Sequence, residues 1–322
     1  RRGRAGRLGP GICYRLWDEA IHPTLVPHNR PEILDTDLAG LTLELAAWGL
    51  EDPNALDWLD PPPIPAFSMA RQLLLDLGAL GDGGKITAHG RHMANLPLHP
   101  RLAHMILAAS KEKMGRSACE VAAILSERDP LRFIGRERDA DLRLRLDALQ
   151  AYQAKRPFHI HGCSVDALSI RHILKVSAVL QQRLGISKKT SRASVPGRLL
   201  AWAYPDRIAR QRPDSPGRFL LSSGRGAYFD PPEPLSASEY LVAAHTDGER
   251  REARIFMAAE TDKQDLLDQF AHRVRWQETV AWDSQRQAVS AIRKRVLGAL
   301  TMETEILINP APQAVMAAMI AG

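Results

Sequence analysis

Apolar positions fall into helical spacing from Thr36 onward, where Leu38, Leu41, Leu45 and Trp48 recur three or four residues apart. Thr36 or Asp37 is placed to cap this short helix and Gly49 to stop it. The prolines at 61 to 65 break the chain, and a second helix is expected from about Ala66 to Leu77, ending at Gly78. Ala79-Leu80, the turn Gly81-Asp82-Gly83-Gly84 and Lys85-Ile86-Thr87 then read as a small hairpin. Helix, helix, hairpin is the pattern of a winged helix. Helical spacing returns from Pro100 to Glu127 with a break near Gly115, and again over Asp139 to Gln153 and Ser164 to Leu184. Beyond Pro216 the pattern alternates, and strands are expected at Arg218 to Leu221, Ala227 to Phe229, Tyr240 to His245, Ala253 to Ala258, Val274 to Trp282 and Ala288 to Leu297. One helix interrupts them, opened by a capping box at Thr261-Asp262-Lys263-Gln264. A small barrel with a basic face and an open sheet fit these strands equally well. Residues 1 to 34 offer one strand candidate, Gly11 to Trp17, and Pro310 to Gly322 begins a further helix.

Length and composition bound the class. At 322 residues, with 45% hydrophobic and 25% charged side chains, the chain is expected to hold several small domains with real cores. No run approaches the roughly 18 apolar residues of a membrane span, and no secretory signal follows the basic start, so a cytoplasmic protein is expected. Three widely spaced cysteines, Cys13, Cys119 and Cys163, do not make a disulfide framework. The chain lacks an initiator Met and opens inside a motif, and its last helix stops without a cap, so truncation at both ends is expected.

Charge is unevenly distributed. The formal net charge is +6, yet residues 31 to 60 hold eight acids and no Lys or Arg, whereas residues 171 to 225 hold twelve Lys or Arg against two Asp. Such a segment suits a polyanion, and it also suits an arginine-rich solvated face. Arg171 and Lys175 lie four apart on an expected helix; Arg207 and Arg210 lie three apart and would share a helical face; Lys188 and Lys189 add to the cluster. Contact with backbone phosphates is the role expected of all six. Trp202, Tyr204 and Tyr228 fit either base stacking or a core. His159, His161 and Cys163 form an H-x-H-x-C run whose spacing is not a standard zinc spacing; the alternative is a polar loop, and no metal site is expected.

The opening run Arg1-Arg2-Gly3-Arg4-Ala5-Gly6-Arg7 combines close-approach glycines with forked guanidinium donors, as phosphate contact requires, although disordered nucleic-acid-binding tails share the composition. Together with Pro31-Glu32-Ile33-Leu34, Trp58-Leu59-Asp60-Pro61-Pro62, Leu77-Gly78-Ala79-Leu80, Leu96-Pro97-Leu98-His99-Pro100-Arg101-Leu102, Tyr204-Pro205-Asp206-Arg207-Ile208-Ala209-Arg210 and Val280-Ala281-Trp282-Asp283, it resembles the bacterial DEAH-box helicases of superfamily two, specifically the HrpB type. The first seven residues resemble the end of helicase motif six.

The resemblance implies a multidomain α+β chain. Residues 1–34 would close a second RecA-like domain, 35–98 form a winged helix, 99–190 a helical ratchet bundle and 191–308 an OB-like antiparallel β domain, with 309–322 opening a further domain. It also implies that Arg4 and Arg7 reach the γ-phosphate of ATP as arginine fingers, worth roughly 10³ to 10⁵ in rate, with Gly3 and Gly6 as spacers. The partners implied are single-stranded RNA or DNA and the RecA-like motor domains of the same chain, with ATP and Mg²⁺ as cofactors of the full-length parent. The sequence carries neither a Walker A run nor Asp-Glu-x-His: Gly83-Gly84-Lys85-Ile86 has Ile where Ser or Thr would meet Mg²⁺. An inactive accessory region that guides a strand for an ATP-dependent helicase is therefore the expected function. The alternative is a protein-interaction platform that docks a regulator. A duplex-reading winged helix is disfavoured, because the helix before the wing offers only Arg71 and Gln72 to bases.

Overall fold

The computed structural model describes residues 2–26, 30–134, 138–186, 195–213, 215–247 and 252–321. A one-turn helix α1 (Arg2–Ala5) is followed by exposed chain to residue 26, with a 3-10 turn at Glu19–Thr24. The strand expected at Gly11 to Trp17 does not form: Ile12, Tyr14 and Leu16 are solvent-exposed, and no described strand pairs with them. A lone apolar stretch has no ladder to complete, so its alternation alone does not make a strand.

Helices α2 (Ala39–Ala47), α3 (Ile64–Asp76) and α4 (Ala88–Ala94) build the first compact unit. Asp37 Oδ1 accepts the Ala39 N–H at 2.7 Å, satisfying a first-turn donor of α2. Gly49 and Gly78 end α2 and α3 at φ +83° and +67°, conformations that favour glycine. The expected hairpin closes with a Leu80–Ile86 bridge and a Gly81 N–H to Lys85 O bond of 2.9 Å. Helix α4 was not expected; Thr87 caps it, accepting the Gly90 N–H at 3.0 Å. Its Met93 joins Leu43, Leu74, Leu77 and Leu80 in a buried core.

Helix α5 (Pro100–Lys111) carries this unit into the next through Ala103 and Leu107, which face the same core. Helices α6 (Gly115–Ser126), α7 (Leu142–Gln153) and α8 (Ala167–Arg183) complete a bundle, with α6 buried over most of its length. A two-stranded ladder of β1 (Leu131–Phe133) and β2 (Cys163–Val165) pins the loops before α7 and α8. Asp141 and Asp166 cap those two helices. Cys163 therefore sits in a strand, and no group of metal-ligating side chains occurs among the described residues.

Helix α9 (Pro196–Ala203) leads to a closed five-stranded barrel of β3 (Ile208–Gln211), β4 (Arg218–Leu221), β5 (Gly226–Tyr228), β6 (Tyr240–Thr246) and β7 (Glu252–Glu260). Every pairing is antiparallel except β5 with β7. Phe219 and Phe229 meet edge-to-face at 5.7 Å inside it. Asp262, rather than Thr261, caps α10 (Lys263–Gln269) by accepting the Gln264 N–H at 2.7 Å. The later strands do not extend the barrel: β8 (Arg275–Asp283), β9 (Ala288–Leu297) and β10 (Leu300–Ile306) form a separate meander, against which α11 (Pro312–Ala321) packs. A barrel closed by the β3–β6 pair leaves no edge for them. One continuous core runs from the bundle through α9 to Leu297, Leu300 and Met302 of the meander.

The meander is fixed to the barrel at Gly298. There φ is +58°, and an added Cβ would lie 2.3 Å from the Ser222 carbonyl oxygen. Replacing Gly298 with Ala is expected to cost on the order of 2 kcal/mol through left-handed strain and forced separation from the barrel. A denaturant melt reads this directly, and an unchanged midpoint contradicts the docking. A second expectation concerns His104 on α5, whose Nδ1 lies 2.8 Å from His89 Nε2. Burial, with the neighbouring charges of His89 and Arg273, pulls its pKa down to about 3. The unfolded chain then binds the proton that the folded chain refuses, so stability falls as pH drops below about 6.5. His104→Leu should flatten the fall between pH 6.5 and 4.5; an unaltered pH profile contradicts the assignment.

Candidate nucleic-acid interface

The basic segment is largely committed to internal contacts. Arg198 bridges Glu112 at 2.6 Å and Asp265 at 3.4 Å, while Arg212 and Arg218 both pair with Glu252. Arg207 and Arg210 do not share a helical face: Arg207 ends the 3-10 turn Pro205–Arg207, and Arg210 lies on β3. The helix failed to extend because Pro205 follows the last turn of α9 and the chain then enters the barrel ladder. The Arg207 guanidinium donates to Ala244 O at 2.8 Å and lies 5.0 Å above the Tyr204 ring. Arg210 donates to Thr301 O, linking barrel and meander, and lies 3.8 Å from Glu239. Lys188 and Lys189 lie outside the described residues.

Arg171 and Lys175 sit one turn apart on the solvent face of α8, both exposed. Neither has an ion-pair partner among the described residues; Arg171 makes only a long bond to Ala167 O at 3.4 Å. His172 beside them is 3.2 Å from Glu127. Two unneutralised cations at i and i+4 can meet successive acceptor groups of a polyanion. Arg4 and Arg7 are likewise exposed and form no hydrogen bond or ion pair with another described residue. Gly11 passes so close to α1 that an added Cβ would lie 2.1 Å from Ala5 O. Nothing brings these two arginines against α8. Of the three aromatic candidates, Tyr204 is core, buried to 7% exposure, and Trp202 and Tyr228 are half-buried, the former beneath the Arg198 guanidinium at 5.9 Å.

A buried junction joins these surfaces. Arg101 on α5 is 8% exposed, and its guanidinium forms a fork with Asp206 at 2.6 and 2.9 Å while also donating to Ala203 O at 3.1 Å. Burial opposes the charge of Asp206, yet the hydrogen-bonded Arg101 holds its carboxyl below the ordinary range. Tyr204 lies between the Arg101 and Arg207 guanidiniums, at 5.2 and 5.0 Å from each. On one side of the bridge is a cleft of about 560 Å³, reached by Asp37, His99, Arg207 and His245. His99 lies 3.3 Å from Asp37, and this hydrogen bond takes the Asp37 carboxyl down to about 2. Sequence reasoning missed this junction, although the runs containing Arg101 and Asp206 had both been singled out; no local pattern announces a pair 105 residues apart.

Comparison with known proteins agrees on one family. The helicase associated domain HA2, a winged helix, matches residues 70–98. Over its whole length the chain is 34% identical to the ATP-dependent RNA helicase HrpB of Escherichia coli K12. Among solved structures, that of the E. coli DExH-box NTPase HrpB superposes with a TM-score of 0.73 at 33% identity, and that of the E. coli DEAH/RHA helicase HrpB with 0.72 at 32% identity, each covering 100% of this chain. The chain spans 37% of the length of these relatives.

Removing Asp206 takes away the carboxylate that the buried Arg101 guanidinium forks and leaves only the more distant Asp37 charge. Asp206→Ala is expected to cost about 2 kcal/mol, less than the roughly 3–5 of a fully enclosed pair because the carboxylate still meets water. Arg101→Met with Asp206→Leu should recover part of that loss. A double-mutant cycle in denaturant tests this; no coupling between the two positions contradicts the bridge.

Proposed function

This chain is a relative, along its whole length, of the HrpB-type DEAH-box helicases, and from that premise we propose that it is the strand-guiding accessory region of an ATP-dependent helicase. The single observation that carries the reading is the pair of cations, Arg171 and Lys175, one turn apart on the exposed face of α8 with no ion-pair partner among the described residues, in a basic segment whose Arg198, Arg212 and Arg218 are internally paired. Phosphate contact by such residues supplies affinity without sequence preference and makes it salt-dependent. Arg207 and Arg210 would contribute only after giving up their present partners. In this reading residues 1–34 complete a second RecA-like domain, 35–98 form the winged helix, 99–190 the ratchet, 191–308 an OB-like region and 309–322 the start of a further domain.

The chemistry of the parent is phosphoryl transfer to water. ATP supplies the transferred group, and Mg²⁺ neutralises its oxygens. The donor set in this chain fits only the γ-phosphate end of that site: Arg4 and Arg7 are exposed guanidiniums without partners among the described residues, and Gly3 before Arg4 and Gly6 before Arg7 keep the backbone slim. The chain carries no Walker A lysine and no Asp-Glu-x-His carboxylates to hold Mg²⁺, so it does not hydrolyse ATP by itself. Its partners are a single strand of nucleic acid, RNA foremost because the curated relative is an RNA helicase, and the motor domains of its own full-length chain. Docking of a protein regulator is the outcome that remains if the cations prove inert.

Two measurements test this. Arg171→Glu with Lys175→Glu should weaken single-strand binding at least several-fold and reduce the salt slope by about two; unchanged affinity and slope remove the phosphate-contact role. In the full-length protein, Arg4→Ala or Arg7→Ala should lower ATP turnover by roughly 10³ or more while strand binding persists. Near-normal turnover sinks the arginine-finger assignment.

A further inference from the structure

A second groove lies on the other side of the Arg101–Asp206 bridge, about 520 Å³ in volume, between α3, the barrel and the meander. Each of its walls is held by its own bonds. The barrel wall turns at Ser222, whose N–H donates to Ile208 O at 2.7 Å and whose hydroxyl donates to Pro205 O at 2.6 Å. The meander is tied to that turn through the Ala299 N–H, which donates to Ser222 O at 2.9 Å. Arg273 ties the meander to the winged-helix unit, donating to Asp76 O at 3.3 Å across 197 residues of sequence. The groove is thus formed before anything enters it.

Its charges are unequal once the internal pairs are removed. Two carboxylates face the groove, and each already has an arginine: Asp206 has the fork from Arg101, and Asp76 lies 3.9 Å from Arg273. Arg275, at the start of β8, lines the same groove, and its guanidinium makes no hydrogen bond or ion pair with any described residue. Lys294 stands opposite Gln277 in the β8–β9 ladder, so its side chain leaves the same sheet face as those of Gln277 and Arg275. It too has no ion-pair partner among the described residues. The Gln277 amide and the Ser223 hydroxyl line or border the groove without hydrogen-bond partners among them. Surplus cations beside open amide and hydroxyl donors, with the acids neutralised, match the acceptors of a phosphodiester backbone. The volume is that of a pocket for a drug-sized ligand, which admits one or two nucleotides of a single strand.

We propose that this groove binds the sugar–phosphate backbone of a single nucleic-acid strand, as a contact separate from the exposed face of α8. The inference rests on the strand-guiding reading above and adds a second surface for the same partner, with Arg275 its principal cation and Lys294 its flank.

The test compares two equal charge reversals on one sheet. Arg286 lies in the turn between β8 and β9, is 82% exposed at its side chain, and is outside the groove. In anisotropy titrations of a labelled single-stranded oligonucleotide with the 322-residue chain, Arg275→Glu should weaken binding about fivefold or more and lower the salt slope by about one. Arg286→Glu should change affinity less than about twofold, and Arg275→Lys should restore most of the loss, because a point charge still meets phosphate. Equal losses from Arg275→Glu and Arg286→Glu would assign the effect to net charge and overturn the groove. Unchanged binding in Arg275→Glu, with the Arg171→Glu, Lys175→Glu variant still impaired, overturns the groove and leaves the α8 reading standing. The reverse pattern upholds the groove and removes α8. Displacement of the oligonucleotide by polyglutamate at matched charge would make the groove a general acidic-chain site, and absence of binding by the unaltered chain would overturn both readings.

Discussion

The rest of the structure depends on one ion pair. Arg101 enters from the second residue of α5, at the seam with the winged-helix unit, and Asp206 comes from the turn that leads α9 into the barrel. A guanidinium this buried must have its charge answered nearby, and Asp206 with the Ala203 carbonyl does so by direct hydrogen bonds. The pair therefore fixes where the barrel begins relative to the bundle. It also divides the interior polar space, since Arg101 lines the cleft shared with Asp37 and His99 while Asp206 lines the groove shared with Asp76 and Arg275.

Pairing elsewhere decides which charges are left for a partner. The basic stretch between residues 171 and 225 reads as a polyanion-binding surface in sequence, but Arg198 ties α9 to Glu112 and to Asp265 of α10, and Arg212 and Arg218 pair with Glu252 inside the barrel. On the meander, Arg293 and Arg295 are neutralised by Glu305 and Glu303 of the adjacent strand. Among the described cations that keep no ion-pair partner are Arg171 and Lys175 on α8, Arg275 and Lys294 on the meander, and Arg4 and Arg7 before the winged helix. Exposed pairs stabilise little individually, so their larger effect is to cancel field where a polyanion would otherwise bind.

Local signals were legible and long-range ones were not. The helices at α2, α3, α5 through α8 and α10 follow from apolar spacing and from start signals such as Asp37 and the Thr261-Asp262-Lys263-Gln264 run, and strands β4 through β9 follow from alternation. Helix α4 was hidden because its seven residues, with Gly90 and two histidines, carry too little apolar periodicity. Strand β3 was misjudged because Arg207 and Arg210 have helical spacing; closure of the barrel overrode it. Gly11 to Trp17 has a strand's alternation with no partner to pair with. The clefts were invisible because Asp76 and Arg273, like Arg101 and Asp206, meet only through the tertiary fold. The family likeness was legible in short ordered motifs, and two of those motifs prove to be the runs that supply the central bridge.

Strand guidance is the claim on which the functional account turns, and direct binding by the unaltered chain tests it best. Labelled single-stranded and duplex oligonucleotides, as RNA and as DNA, are titrated by fluorescence anisotropy at two salt concentrations. The account predicts binding that favours single strands and weakens steeply with salt, as expected of contacts made chiefly to phosphate. Absence of binding at low salt, or a preference for duplex that salt leaves unchanged, would contradict it.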